Sequence, residues 1–152
     1  KKLEAEQNER GLKATKTIQE GLLKMKIKHI AIWTMDLEGL KEFYVKYFNA
    51  KAGNIYINEK TGFRSYFLTF DEACRLEIME KPKVSGQKEP AFDVVGLAHF
   101  AISVGSKLAV DELTGRLRAD GIKVLSEPRT TGDGYYESVI ADPDGNRVEI
   151  TV

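Results

Sequence analysis

The chain has 152 residues, 42% of them hydrophobic and 30% charged, a composition suited to one soluble globular domain with an ordinary buried core. Lysine plus arginine and aspartate plus glutamate each number 23, so no net field draws nucleic acid or an anionic membrane surface. No apolar run is long enough to span a bilayer, and the single cysteine, Cys74, cannot form an internal disulfide, which fits a cytoplasmic protein.

Residues 1–24 carry scattered aliphatics at poor helical spacing and read as an N-terminal extension or arm. Met25 opens the domain proper, residues 25–152. From Lys26 to Trp33 the chain is β-branched and apolar, which predicts a strand. Asp36 is a fitting N-cap for a helix with Leu37, Leu40, Tyr44 and Tyr47 on one face, and Asn49 can end it in a left-handed conformation. Strands are expected at Gly53–Ile57, Arg64–Phe70 and Arg75–Glu80, so residues 25–80 read as βαβββ. Residues 81–94, with Pro82, Gly86 and Pro90 among charges, read as a linker. Residues 95–152 then repeat the plan. A strand at Leu97–Val104 precedes a helix capped by Ser106, carrying Val110, Leu113 and Leu117 and closed by Gly121. Ile122–Leu125 starts the next strand, and Tyr136–Ala141 and Arg147–Val152 form a last hairpin joined by the turn Asp142-Pro143-Asp144-Gly145.

The repeat carries chemistry. His29 and Glu77 are 48 positions apart, His99 and Glu149 are 50 apart, and each residue sits in a β-like run that matches its counterpart. Ile27-Lys-His-Ile-Ala-Ile32 reads against Leu97-Ala-His-Phe-Ala-Ile102, and Leu76-Glu77-Ile78 against Val148-Glu149-Ile150. A lone strand histidine is ordinarily a hydrogen-bonded core residue, and a lone strand glutamate faces water or a basic partner such as Arg75 or Arg147. A carboxylate centred in an apolar strand is costly to bury without a pair or a metal. Its occurrence at both repeat positions points to His29, Glu77, His99 and Glu149 as ligands of one divalent cation. Two nitrogens and two carboxylate oxygens suit Zn, Ni or Co, with Fe or Mn also compatible. Cys74 differs in parity from Glu77 and should face the other side of the sheet.

These residues resemble the vicinal oxygen chelate superfamily, and within it the glyoxalase I-like proteins. The resemblance rests on His29-Ile-Ala-Ile, Phe43-Tyr44, Leu76-Glu77, His99-Phe-Ala-Ile and Asp142-Pro-Asp-Gly-Asn-Arg-Val-Glu149, and covers Met25 to Val152. It implies an α+β fold in which two tandem βαβββ modules form a cupped, eight-stranded mixed sheet around a metal site. It also implies a lyase or isomerase that converts the hemithioacetal of a thiol and a 2-oxoaldehyde to a 2-hydroxyacyl thioester through an enediolate. In that reaction Glu149 is the preferred proton-transfer base and Glu77 its counterpart.

Two positions depart from the family members that use glutathione. An arginine expected four residues after the first histidine is Trp33, and an asparagine expected four residues after the first glutamate is Lys81. Trp33, Arg129 and Tyr136 are candidates for substrate contact, the last two flanking a glycine-broken loop suited to cover a ligand. Phe63, Tyr66 and Phe67 line the cup or, as the favoured reading, pack as core. Rival functions within the resemblance are a bleomycin-resistance-type binding protein, an epimerase and an extradiol dioxygenase. The last would need a further histidine, and the chain has only two. The partners expected are a small-molecule substrate and a second copy in a homodimer.

Overall fold

The computed structural model describes residues 27–70, 74–84, 86, 96–132 and 134–152. The N-terminal arm and most of the linker lie outside the described residues. Strand β1 (His29–Trp33) leads into helix α1 (Leu37–Phe48), the short strands β2 (Lys51–Ala52) and β3 (Tyr56–Asn58), and the hairpin β4 (Phe63–Thr69) and β5 (Arg75–Glu80). The second module runs β6 (Phe100–Ser103), α2 (Lys107–Ala119), β7 (Val124–Thr130), β8 (Tyr136–Ala141) and β9 (Arg147–Thr151). Both helix starts are capped as the sequence indicates. Asp36 accepts from the Gly39 N–H at 3.0 Å and Ser106 from the Ala109 N–H at 3.1 Å. Asn49 ends α1 at φ 54°.

Each module builds its own mixed sheet, ordered β1-β5-β4-β2 with β3 beside β4 in the first, and β6-β9-β8-β7 in the second. The α+β class and the paired modules stand as expected; within one chain, however, the sheets remain separate and unclosed. β1 runs parallel to β5 and β6 parallel to β9, while the other pairs are antiparallel. The expected strand at Gly53–Ile57 is found as two short pieces, β2 and β3, both paired to β4, and the Gly53 N–H still bonds the Phe67 carbonyl at 2.9 Å. The strand expected to start at Ile122–Leu125 begins at Val124 and runs to Thr130 through Pro128. It is an edge strand whose register shifts twice, which accommodates a residue without an N–H.

Side chains alternate across a strand, so each sheet has two unlike faces. Ile30, Ile32, Leu76 and Ile78 in the first module, and Phe100, Ile102, Val148 and Ile150 in the second, face the helices and belong to one continuous core. The opposite faces carry the polar candidates. The modules are joined through the helix side. Tyr44, fully buried in α1, donates its hydroxyl to Asp142 of the last turn at 2.8 Å. Burial and the neighbouring Asp142 carboxylate hold the Tyr44 hydroxyl well above the ordinary tyrosine range, so it stays a donor. Asp142 also accepts from the Asp144 and Asn146 N–H groups at 3.0 and 2.8 Å, which shapes the Asp-Pro-Asp-Gly turn. At the helix ends, Lys46 and Tyr47 reach Asp120 at 2.9 and 2.6 Å. Among the described residues no helix is long and apolar enough to cross a membrane.

Removing one buried donor to a carboxylate typically costs about 1.5–3 kcal/mol. Tyr44→Phe is therefore expected to lower the urea midpoint by that much free energy with little change in slope, and an unchanged midpoint would show that the contact does not hold the modules together.

Candidate metal centre

The same local geometry occurs twice. In the parallel β1–β5 pair, Ala31 lies opposite Glu77, and His29 stands one pleat away on the same face. In the parallel β6–β9 pair, Ala101 lies opposite Glu149, and His99 immediately precedes the strand in the matching place. A methyl group opposite each carboxylate leaves room for the imidazole to reach it. His29 Nε2 lies 3.7 Å from Glu77 Oε2, and His99 Nε2 lies 3.2 Å from Glu149 Oε2. The carboxylate side chains are 15% and 16% exposed and the imidazoles 42% and 48%, so each pair offers one sheltered and one accessible donor.

Each His–Glu pair supplies one nitrogen and one carboxylate donor, types that divalent cations accept. Ligand bonds of about 2.0–2.2 Å at right-angled to tetrahedral geometry place neighbouring donor atoms about 2.8–3.6 Å apart; the His99–Glu149 separation of 3.2 Å lies inside that interval and the His29–Glu77 separation of 3.7 Å just beyond it. The structure assembles the four candidate ligands as two pairs. Among the described residues no group of three or more His, Cys, Asp or Glu side chains gathers at one point.

The N-terminal pair has aromatic company. Phe67, paired with Glu77 in the β4–β5 register, packs edge-on against His29 with ring centroids 5.4 Å apart. Arg75 lies 4.1 Å over the other part of this cluster, the Phe67 ring. Phe63 belongs to the same open face, so for Phe63 and Phe67 the cup-lining reading holds over the core reading. Tyr66, of opposite parity, turns to the helix side and donates to Glu38 at 2.9 Å. Tyr56 joins Phe63 on the open face and was not legible as a site residue, because its position follows only from the β3–β4 register.

The three substrate-contact candidates separate. Trp33 shares the open face with His29 and Ala31 and is 43% exposed. Arg129 sits in β7 rather than in a covering loop; it pairs with Glu137 in register, 3.7 Å away, on the face that carries Glu149. Tyr136 is on the helix side, its hydroxyl donating to Asp111 at 2.7 Å, which raises its pKa. The parity of β8 thus places Tyr136 as a packing residue, away from the Glu149 face. At the seam between modules a cavity of about 250 Å³ is lined by Ile30, Phe70, Cys74 and Phe100 among others.

A family model described as the Glyoxalase/Bleomycin resistance protein/Dioxygenase superfamily matches residues 26–150, and the chain belongs to this superfamily. A relative, the uncharacterized protein YqjT of Bacillus subtilis strain 168, is 44% identical over 59 residues, which are 37% of this chain and 46% of that protein. The match therefore spans about half the relative's length. Three solved structures share the fold. A glyoxylase/bleomycin resistance protein/dioxygenase domain from Frankia sp. EAN1pec superposes with a TM-score of 0.71 at 16% identity, covering 84% of this chain and 97% of that one. A glyoxalase family protein from Enterococcus faecalis gives 0.69 at 21% identity, with 86% and 99% covered. The trypanothione-dependent glyoxalase I of Leishmania major gives 0.67 at 22% identity, with 84% and 86% covered.

The alanines opposite the carboxylates generate a test of the pair geometry. Ala101→Leu fills the space between His99 and Glu149 and is expected to weaken binding of Zn²⁺ or Ni²⁺ by about ten-fold or more, read by competition with a chromogenic chelator. Wild-type affinity in this variant would mean that the pair does not hold the cation.

Proposed function

We propose that the protein is a metal-dependent lyase or isomerase of the glyoxalase I type, acting on the hemithioacetal of a thiol and a 2-oxoaldehyde. The observation that carries this reading is the repetition of one His–Glu pair at one register in both modules. The ligands are His29 and Glu77 with His99 and Glu149. Because the chain presents them as two pairs on separate sheets, the complete site is proposed to form in a homodimer, where the open face of one protomer's first module meets the second module of its partner.

A divalent ion held there supplies positive charge that stabilises oxyanion character on the substrate. The residues of the chain do the rest. Glu149 takes the proton from the carbon that bears sulfur and returns it to the neighbouring carbon, with Glu77 in the symmetric position. The electron pair shifts from the C–H bond into the carbon framework and back while the hydroxyl proton on the sulfur-bearing carbon passes to the oxygen of the neighbouring carbon, so the step needs no oxidant or reductant. Both carboxylates are largely withdrawn from solvent, which limits competition from water for that proton. Apolar neighbours such as Phe67 on the first face exclude water in the same way.

Metal analysis joined to turnover tests the proposal. Protein purified without chelator or metal-affinity resin is expected to hold about one divalent ion per chain and to convert methylglyoxal adducts of at least one low-molecular-weight thiol. Glu149→Gln is expected to keep the melting temperature and to lose at least about a hundred-fold in kcat. A wild-type protein that refuses Zn²⁺, Ni²⁺ and Co²⁺ contradicts the enzyme and favours small-molecule sequestration. Full turnover in Glu149→Gln removes that residue from proton transfer.

A further inference from the structure

Beside the His29–Glu77 pair the first module exposes a wall of aromatic side chains. Trp33 packs edge-on against Phe63 with centroids 6.2 Å apart, and Phe63 meets Tyr56 at 6.0 Å. Trp33 and Tyr56 remain 43% and 56% exposed. The Lys81 ammonium lies 4.6 Å over the Trp33 ring and makes no ion pair with a carboxylate among the described residues. Exposed aromatic groups clustered on one face mark a contact surface more often than a core. The repeat shows that the wall is not required by the scaffold. Four residues after each histidine stand Trp33 in the first module and Ser103 in the second.

We propose that Trp33, Phe63, Tyr56 and Lys81 form a recognition site for a planar apolar group that carries an anionic substituent. The aromatic faces supply stacking surface, and the ammonium supplies the charge complement. The site rests on the proposed function only for its meaning: in that reading it selects a substrate with an aromatic acid moiety. Trp33 and Lys81 touch each other and act as one unit.

The chain has one tryptophan, so its emission reports on this site alone. The full-length protein is titrated with phenylacetate, with phenylacetamide and with acetate, with and without a chelator. Saturable quenching or a spectral shift is expected with phenylacetate, about three-fold weaker binding with phenylacetamide, and no response to acetate. Lys81→Met should bring phenylacetate down to the affinity of the amide, and Phe63→Leu should weaken both aromatic ligands by about ten-fold. Persistence of the response in chelator separates this site from the metal, so failure of the enzyme reading leaves the result standing. Linear, non-saturating quenching overturns the proposal, as does equal affinity for acid and amide. Trp33 emission shielded from acrylamide, with no ligand response, also overturns it and assigns the wall to a second copy of the chain.

Discussion

The parallel pairing of the first and last strand in each module is the constraint on which the rest depends. Its register puts Ala31 opposite Glu77 and Ala101 opposite Glu149, and everything chemical on the open faces follows from that alignment. A slip of one residue would turn both glutamates into the helix-covered core and bring Leu76 and Val148 out to solvent. The core forbids this, since Leu76 is 3% exposed and Val148 fully buried. Hydrophobic burial on one face therefore positions the polar groups on the other.

The connection between modules uses different chemistry. Asp142 organises its own turn through backbone N–H groups and then accepts the Tyr44 hydroxyl from the other module. The neighbouring Asp144 carboxyl is raised by burial, opposed by a hydrogen bond from Thr34 of the first module. Such contacts run through the helix-covered side and leave the two open faces unshared within the chain. In the proposed reading these open faces are the two halves of the site.

Much of this was legible in the sequence. Apolar alternation around His29, Glu77, His99 and Glu149, the caps Asp36 and Ser106, and the turn at Asp142 are local signals, and local structure follows them. Four features were not local. The cup expected as one eight-stranded sheet stands as two sheets, because closure depends on contacts that no strand pattern encodes. Arg129 moved from loop to strand because an edge strand tolerates Pro128 at a bulge. Tyr136 turned to the helix because its parity in β8 is set by the register with β9, and its ring reads as easily toward a ligand as toward a core. Tyr56 entered the aromatic wall only through the β3–β4 pairing. The wall itself was half visible, since Trp33 and Lys81 departed from the pattern of the family they resemble; their contact with each other was not.

The central claim is that a complete metal centre combines His29 and Glu77 of one protomer with His99 and Glu149 of its partner. Mixing His29→Ala chains with His99→Ala chains, after denaturation and joint refolding, tests it most directly. Each parent alone should bind no metal at the site and turn over no substrate. If the halves combine across a dimer, random re-association restores about a quarter of the wild-type sites, and metal content and activity recover together to that level. If all four ligands meet within one chain, every chain in the mixture carries a broken site, and nothing is recovered.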